Sequence, residues 1–235
     1  WDVSGVTSEP ETNFDYMSGE TTWTFYSESQ FANMFTSAIA FNQPLDKWNV
    51  GNANIFIGMF SNANSFNQDI SMWNMSNAQR LTGMFSGAVS FNRSLNGWNL
   101  AKVTNTNSMF NGAIGFNAPL GNWDMPLNKT AISMFKGATA FNQDISNWDT
   151  SKAVCMKSTF EGASAFNKPL NTWNVSKVKR FARMFDGAAS FDSSVNAWNV
   201  SAGESFANMF TNASTFNQPI DQWRPTGEGQ VSASL

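Results

Sequence analysis

The sequence predicts an α/β repeat: a solenoid of stacked 25-residue coils, each with one short strand and one short helix. Three observations carry this expectation. Tryptophan recurs every 25 residues from Trp23 through Trp48, Trp73, Trp98, Trp123, Trp148, Trp173 and Trp198 to Trp223. Two phenylalanine series keep the same period without a gap, one from Phe35 to Phe210 and one from Phe41 to Phe216. No coil carries an insertion or deletion, as expected where each unit must register on the next.

The strand is expected around Trp48 and Val50, apolar residues two apart. The helix is expected over Ala53, Phe56, Met59, Phe60 and Ala63, whose spacings of three and four describe one helical face. Gly51 precedes that stretch; Ser76, Ser151, Ser176 and Ser201 stand at the same position elsewhere and suit a helix N-cap. Asn62, Gly87, Gly112, Gly137, Gly162, Gly187 and Asn212 suit a left-handed helix stop. A helix of about ten residues is too short to persist alone, so stacking must hold it.

Two further columns (residues 25 apart) have structural readings. Asn42, Asn67, Asn92, Asn117, Asn142, Asn167, Asp192 and Asn217 read as a buried ladder bonding one coil to the next. The tryptophans read as core or half-buried rim, each with an N–H that needs a partner. The residue after each Trp alternates between Asn and Asp, from Asn49 to Asn199, which suits a local turn cap better than a catalytic charge.

Composition excludes several functions. Charged residues are 13% of the chain and the net charge is −3, without a basic run, so nucleic acid is not an expected partner. Histidine is absent, which removes the commonest general base and metal ligand. No phosphate-binding glycine loop or nucleophile elbow occurs. Asp69 and Asp144 are equivalent but three coils apart, roughly 15 Å by strand spacing. Paired carboxylates work at about 5 to 10 Å. The chain reads as a non-enzyme with no catalytic residue, metal or cofactor. No apolar run is long enough to span a membrane. The chain opens on Trp1 without Met, which reads as a mature or trimmed form.

The motif Met-Phe-x-x-Ala-x-x-Phe-Asn-Gln-[Pro/Asp]-[Leu/Ile]-x-x-Trp-[Asn/Asp]-Val-Ser, as in Met34 to Val50 and Met134 to Ser151, resembles the 25-residue surface-protein repeat of mycoplasma-type lipoproteins. That repeat is related to the BspA-like leucine-rich repeats of cell-surface proteins. The resemblance covers residues 16 to 224. It implies a leucine-rich-repeat-like solenoid, an extracellular or cell-surface location, and a role in adhesion or surface architecture. It carries over no catalytic residue.

Residues 1–30 keep the pattern only at Tyr16, Trp23 and Phe25 and read as a degenerate N-terminal cap. Residues 31–223 hold eight coils, and the Gly- and Ser-rich residues 224–235 read as a tail or linker. Among the Asn-x-Ser/Thr sequons, Asn128 breaks its coil's pattern and is the first candidate for glycosylation, followed by Asn74, Asn174 and Asn199. Asn92, in the ladder, and Asn212, at the helix stop, are discounted. Cys155, the lone cysteine, stands where other coils have Gln30, Ile55, Arg80, Asn105, Thr130, Arg180 and Ser205, and is expected to be exposed.

Two functions fit. One is a structural or adhesive surface protein that self-associates, head to tail, into filaments. The other is a module that binds an extracellular glycan or protein along one face. Ice binding is disfavoured, because no regular Thr-x-Thr array occurs.

Overall fold

The computed structural model describes residues 11–15, 20–24 and 31–226. Two strands open it: β1 (Glu11–Asp15) and β2 (Glu20–Thr24) pair antiparallel. β2 pairs in parallel with β3 (Trp48–Asn49), in the register Trp23↔Trp48. The 25-residue offset thus already governs the backbone at Trp23 and Thr24. Tyr16 and Phe25 lie outside the described residues.

The expected helix is absent. No helix occurs among the described residues, and beyond β3 the pairing shrinks to single-residue parallel bridges running Ile55↔Arg80, Arg80↔Asn105 and onward to Arg180↔Ser205. The segment read as helical is a run of turns. Met59, Ser61 and Ala63 donate their N–H groups back three residues, to the carbonyls of Phe56, Gly58 and Phe60. The alternate residues do otherwise: Phe56, Gly58, Phe60 and Asn62 donate to the carbonyls of Arg80, Thr82, Met84 and Ser86, at 3.0, 2.9, 2.8 and 2.6 Å. A helix would return every one of these donors to its own segment. Here half of them join one repeat to the next.

The turns explain the left-handed residues. Gly58 and Asn62 have φ of 59° and 55°, each as the third residue of a bonded four-residue turn. That position demands positive φ in a type II turn. The glycine column was therefore read correctly as left-handed, but it ends a turn, not a helix. Ser76, Ser151, Ser176 and Ser201 cap no helix either; each donates its N–H to the side-chain oxygen of the Asn or Asp two residues earlier.

The expected strand at the Trp column is likewise limited to β3. The Trp N–H is held locally throughout, from Trp48 to Leu45 and from Trp73 to Ile70, both at 3.1 Å, and so is that of Ala78, to Met75. With these donors spent inside their own repeat, the strand is two residues long at β3 and does not recur beyond it.

The apolar spacing nevertheless marks the interior. Ala53, Phe56, Met59, Phe60 and Ala63 are all buried, and so are their counterparts in most repeats. Phe60 stacks on Phe85 with centroids 5.6 Å apart, and that column continues through Phe110, Phe135, Phe160 and Phe185 to Phe210. Within each repeat the two Phe series meet face to face, as Phe60 and Phe66 do at 3.9 Å. The pairing also passes the expected boundary at 223: Thr226 donates both N–H and hydroxyl to the Ser201 carbonyl, at 3.2 and 2.7 Å.

Candidate functional site

The tryptophans face inward. From Trp73 to Trp223 each is buried, and Trp48 is half-buried. Each indole N–H from Trp73 onward donates to the carbonyl 28 residues earlier, from Leu45 for Trp73 to Val195 for Trp223, at 2.8 to 3.1 Å. A ring buried on its faces and spent at its N–H has no surface left for a sugar. The tryptophan column is a junction between repeats.

The asparagine ladder is real but lies at the surface, where a buried one was expected. Asn42 Oδ1 accepts the backbone N–H of Asn67 at 2.9 Å. The same bond links Asn67 to Asn92, then Asn117, Asn142, Asn167, Asp192 and Asn217. Asn42, Asn92, Asn167 and Asn217 are exposed and the others half-buried. Side-chain amides of the next residue reinforce the row, as Gln143 does on Asn117 at 3.0 Å.

Asn74, Asn174 and Asn199 are exposed, each accepting the N–H two residues on. Asn128 is different. It is half-buried, and with its amide oriented to satisfy both ends, Nδ2 donates to the carbonyls of Thr104 (3.3 Å) and Thr130 (3.2 Å) while Oδ1 accepts from the Thr106 hydroxyl at 3.0 Å. The nitrogen a glycan would occupy is thus engaged at Asn128, whereas Asn74, Asn174 and Asn199 are exposed. Asn92 and Asn212 are exposed.

Asn128 belongs to a polar, underfilled interior in the middle repeats. Thr106, Thr150, Ser158 and Thr159 are the buried polar residues among those described. Thr106 and Ala131 replace the Phe found at residues 31, 56, 181 and 206. A cavity of about 20 Å³ lies there, lined by Asn128, Ala131, Met134, Thr159, Trp148 and Trp173. That is room for about one water molecule. The hydroxyl of Thr159 is already satisfied by the carbonyls of Met156 and Ala131.

Cys155 is buried, 7% exposed, contrary to expectation. It sits in the column of single-residue bridges between Thr130 and Arg180. The long Arg80 and Arg180 of that column reach solvent, whereas a thiol is too short to do so.

The carboxylates act locally. The backbone N–H of Ser71, then its hydroxyl, hold Asp69 below the usual carboxylate range, and Ser146 does the same for Asp144. At Asp149 the Ser151 hydroxyl is the larger cause and its N–H the second. Among the described residues no three His, Cys, Asp or Glu side chains gather as a metal site would require, and no helix is long and apolar enough to cross a membrane.

Stacking gathers what the linear sequence scatters. The chain has no basic run, yet Lys102, Lys152 and Lys177 share one column, and Lys129 and Lys179 share the column two residues on. A charge count taken by column, at period 25, exposes this strip.

A family model described as "Mycoplasma protein of unknown function, DUF285" matches the chain twice, over residues 8–123 and 113–223. No curated protein and no solved structure matches it.

Proposed function

The chain belongs to the DUF285 family of Mycoplasma proteins of unknown function, and from that premise we propose that it is an extracellular or cell-surface structural and adhesive repeat protein whose copies associate end to end. The observation that carries this reading is the junction between repeats. Each repeat presents one face of backbone N–H groups and one of carbonyls, and these join unit to unit with the same bonds from Asn33 to Thr211. The two faces complement each other, so the carbonyl face of a second copy offers what the next repeat offers. An interface of this kind is heterologous and does not close on itself, which favours filaments.

The repeated residues support the same reading. The Trp, Phe and Asn columns are spent on holding repeats together, and what remains outward is variable and polar. The resemblance to surface-protein repeats supports a surface location. Recognition of a glycan or protein remains the second reading, carried by the variable columns, since the buried tryptophans favour no sugar platform.

Negative-stain electron microscopy of the protein across a concentration series tests the proposal. Filaments whose length grows with concentration are the expected result. Dispersed short rods at every concentration would overturn end-to-end association and favour the second reading.

A further inference from the structure

The basic strip has an apolar centre. One column runs Lys102, Leu127, Lys152, Lys177, and the column two residues further along runs Lys129, Val154, Lys179. The backbone ties the second together: Val154 donates its N–H to the Lys129 carbonyl at 2.9 Å, and Lys179 donates to Val154 at 3.0 Å. The residues between the two columns, such as Ala153 and Val178, are buried, so both columns face outward. All five lysines are exposed. Leu127 and Val154 are 46% and 38% exposed, although the apolar side chains of the repeat otherwise point mostly inward.

The charge of this strip is one-sided. From residue 52 to residue 204 the two columns hold one acid, Glu204, which pairs with Lys179 at 2.7 Å. Asp124 and Asp149 stand at its margin, three residues before Leu127 and Lys152. Arg180 adds a further exposed cation beside Lys179. A net charge of −3 for the whole chain therefore hides a local excess of positive charge.

We propose that this strip, with Leu127 and Val154 at its centre and lysines around them, docks the protein on an anionic lipid surface. Lysines set around exposed aliphatic side chains suit that surface because it offers both negative headgroups and an apolar layer beneath them. Long lysine stems lie along such a surface while their ammonium groups stay among the phosphates. Nucleic acid fits less well. Single strands are held on exposed aromatic rings, and no Phe or Trp among residues 31–226 is exposed. A protein partner fits less well too, because two aliphatic side chains are too few for the desolvated centre of a protein interface. The docking depends neither on end-to-end association nor on its failure.

Vesicle co-sedimentation of the full chain tests this, with phosphatidylcholine vesicles alone and with phosphatidylglycerol added. Binding is expected to the anionic vesicles only and to weaken as salt is raised. Lys129→Gln with Lys152→Gln should weaken it about thirtyfold, at about fivefold per cation. Leu127→Ser with Val154→Ser should weaken the binding that persists at high salt. The lysine variant is expected to melt unchanged, and the aliphatic variant, whose side chains are about half covered, to melt slightly lower while staying folded at the assay temperature. Absence of binding, or equal binding to neutral vesicles, would overturn the proposal. So would an effect of the lysine pair without one of the aliphatic pair, or tighter binding to a single-stranded oligonucleotide; these would assign the strip to another polyanion.

Discussion

The indole N–H of Trp123 and the backbone N–H of Trp98 converge on one oxygen, the Leu95 carbonyl, at 2.8 and 3.0 Å. The first donor comes from the next repeat and the second from the same one. The arrangement recurs at each carbonyl from Leu45 to Val195, always with Trp three residues and 28 residues further on. The aliphatic residue fills the core while its carbonyl uses both lone pairs.

Replacing Trp123 by Phe leaves that carbonyl one donor. The cost is then a net hydrogen bond plus a partial cavity, about 1–2 kcal/mol. Trp123→Ala, which also removes the ring stacked between Trp98 and Trp148, should cost about 3–5 kcal/mol. Urea unfolding of the two variants checks the order; equal costs would mean that the ring contributes nothing beyond its N–H.

Asn117 accepts from the Asn142 N–H at 2.8 Å and from Gln143 at 3.0 Å. Asn117→Ala should cost about 1 kcal/mol, at the low end for an orphaned donor because water reaches this half-buried row. Asn117→Asp should be tolerated at neutral pH, since Asp192 already accepts the Asn217 N–H at 2.9 Å in the same column. Chemical denaturation at neutral pH distinguishes the two.

Gly112 has φ of 69°, and a Cβ built there would meet the Gly87 Cα at an ordinary 3.8 Å. Space is thus available and only the backbone objects. Gly112→Ala should destabilise by about 1–2 kcal/mol through left-handed strain. Ser133 carries the same strain at φ 55°, so Ser133→Gly should raise the melting temperature. A fall on Ser133→Gly would show that its side chain outweighs the strain.

The cavity beside Thr159 makes the opposite kind of prediction. Seven other repeats place Met there. Thr159→Met should fill a cavity of about 20 Å³ and add about 0.5 kcal/mol, at about 24 cal/mol per Å³. Loss of stability in thermal unfolding would mean that the Thr159 hydroxyl bonds matter more than the void.

Acid should weaken the fold. Asp69, Asp144 and Asp149 are held below their ordinary pKa by the serine two residues on. Their contribution is complete above the unfolded-state value, about 3.9, and is lost as pH falls through the lower folded-state value. Asp149→Asn should leave stability at neutral pH nearly unchanged, since Asn74 and Asn174 form the same turn, and should flatten the acid limb. Urea midpoints measured from pH 6 down to pH 2 check both.

Several features were legible in the chain itself: the offset of 25, which side chains turn inward, and the left-handed glycine column. Each is a property of residue type at a repeated place. The helix was misread because Phe56, Met59, Phe60 and Ala63 have helical spacing, which records where side chains point and not where N–H groups go. Cys155 was misjudged from a mostly polar column in which only Arg80 and Arg180 reach well into solvent, while Asn105, Thr130 and Ser205 are half-buried. Asn128 breaks its coil's pattern, and only the structure shows that its amide fills a gap in the interior.

The sequence by itself determined the period and the inward faces, because apolar burial is carried by side chains and needs no partner to be named. Only the tertiary structure decided that alternate N–H groups leave their own turn for a carbonyl 24 residues away. A backbone donor is the same at every residue but proline, so its partner is chosen by which repeat lies beside it. The same stacking sets Lys129 and Lys179 on either side of Val154, a strip that exists in space and nowhere along the chain.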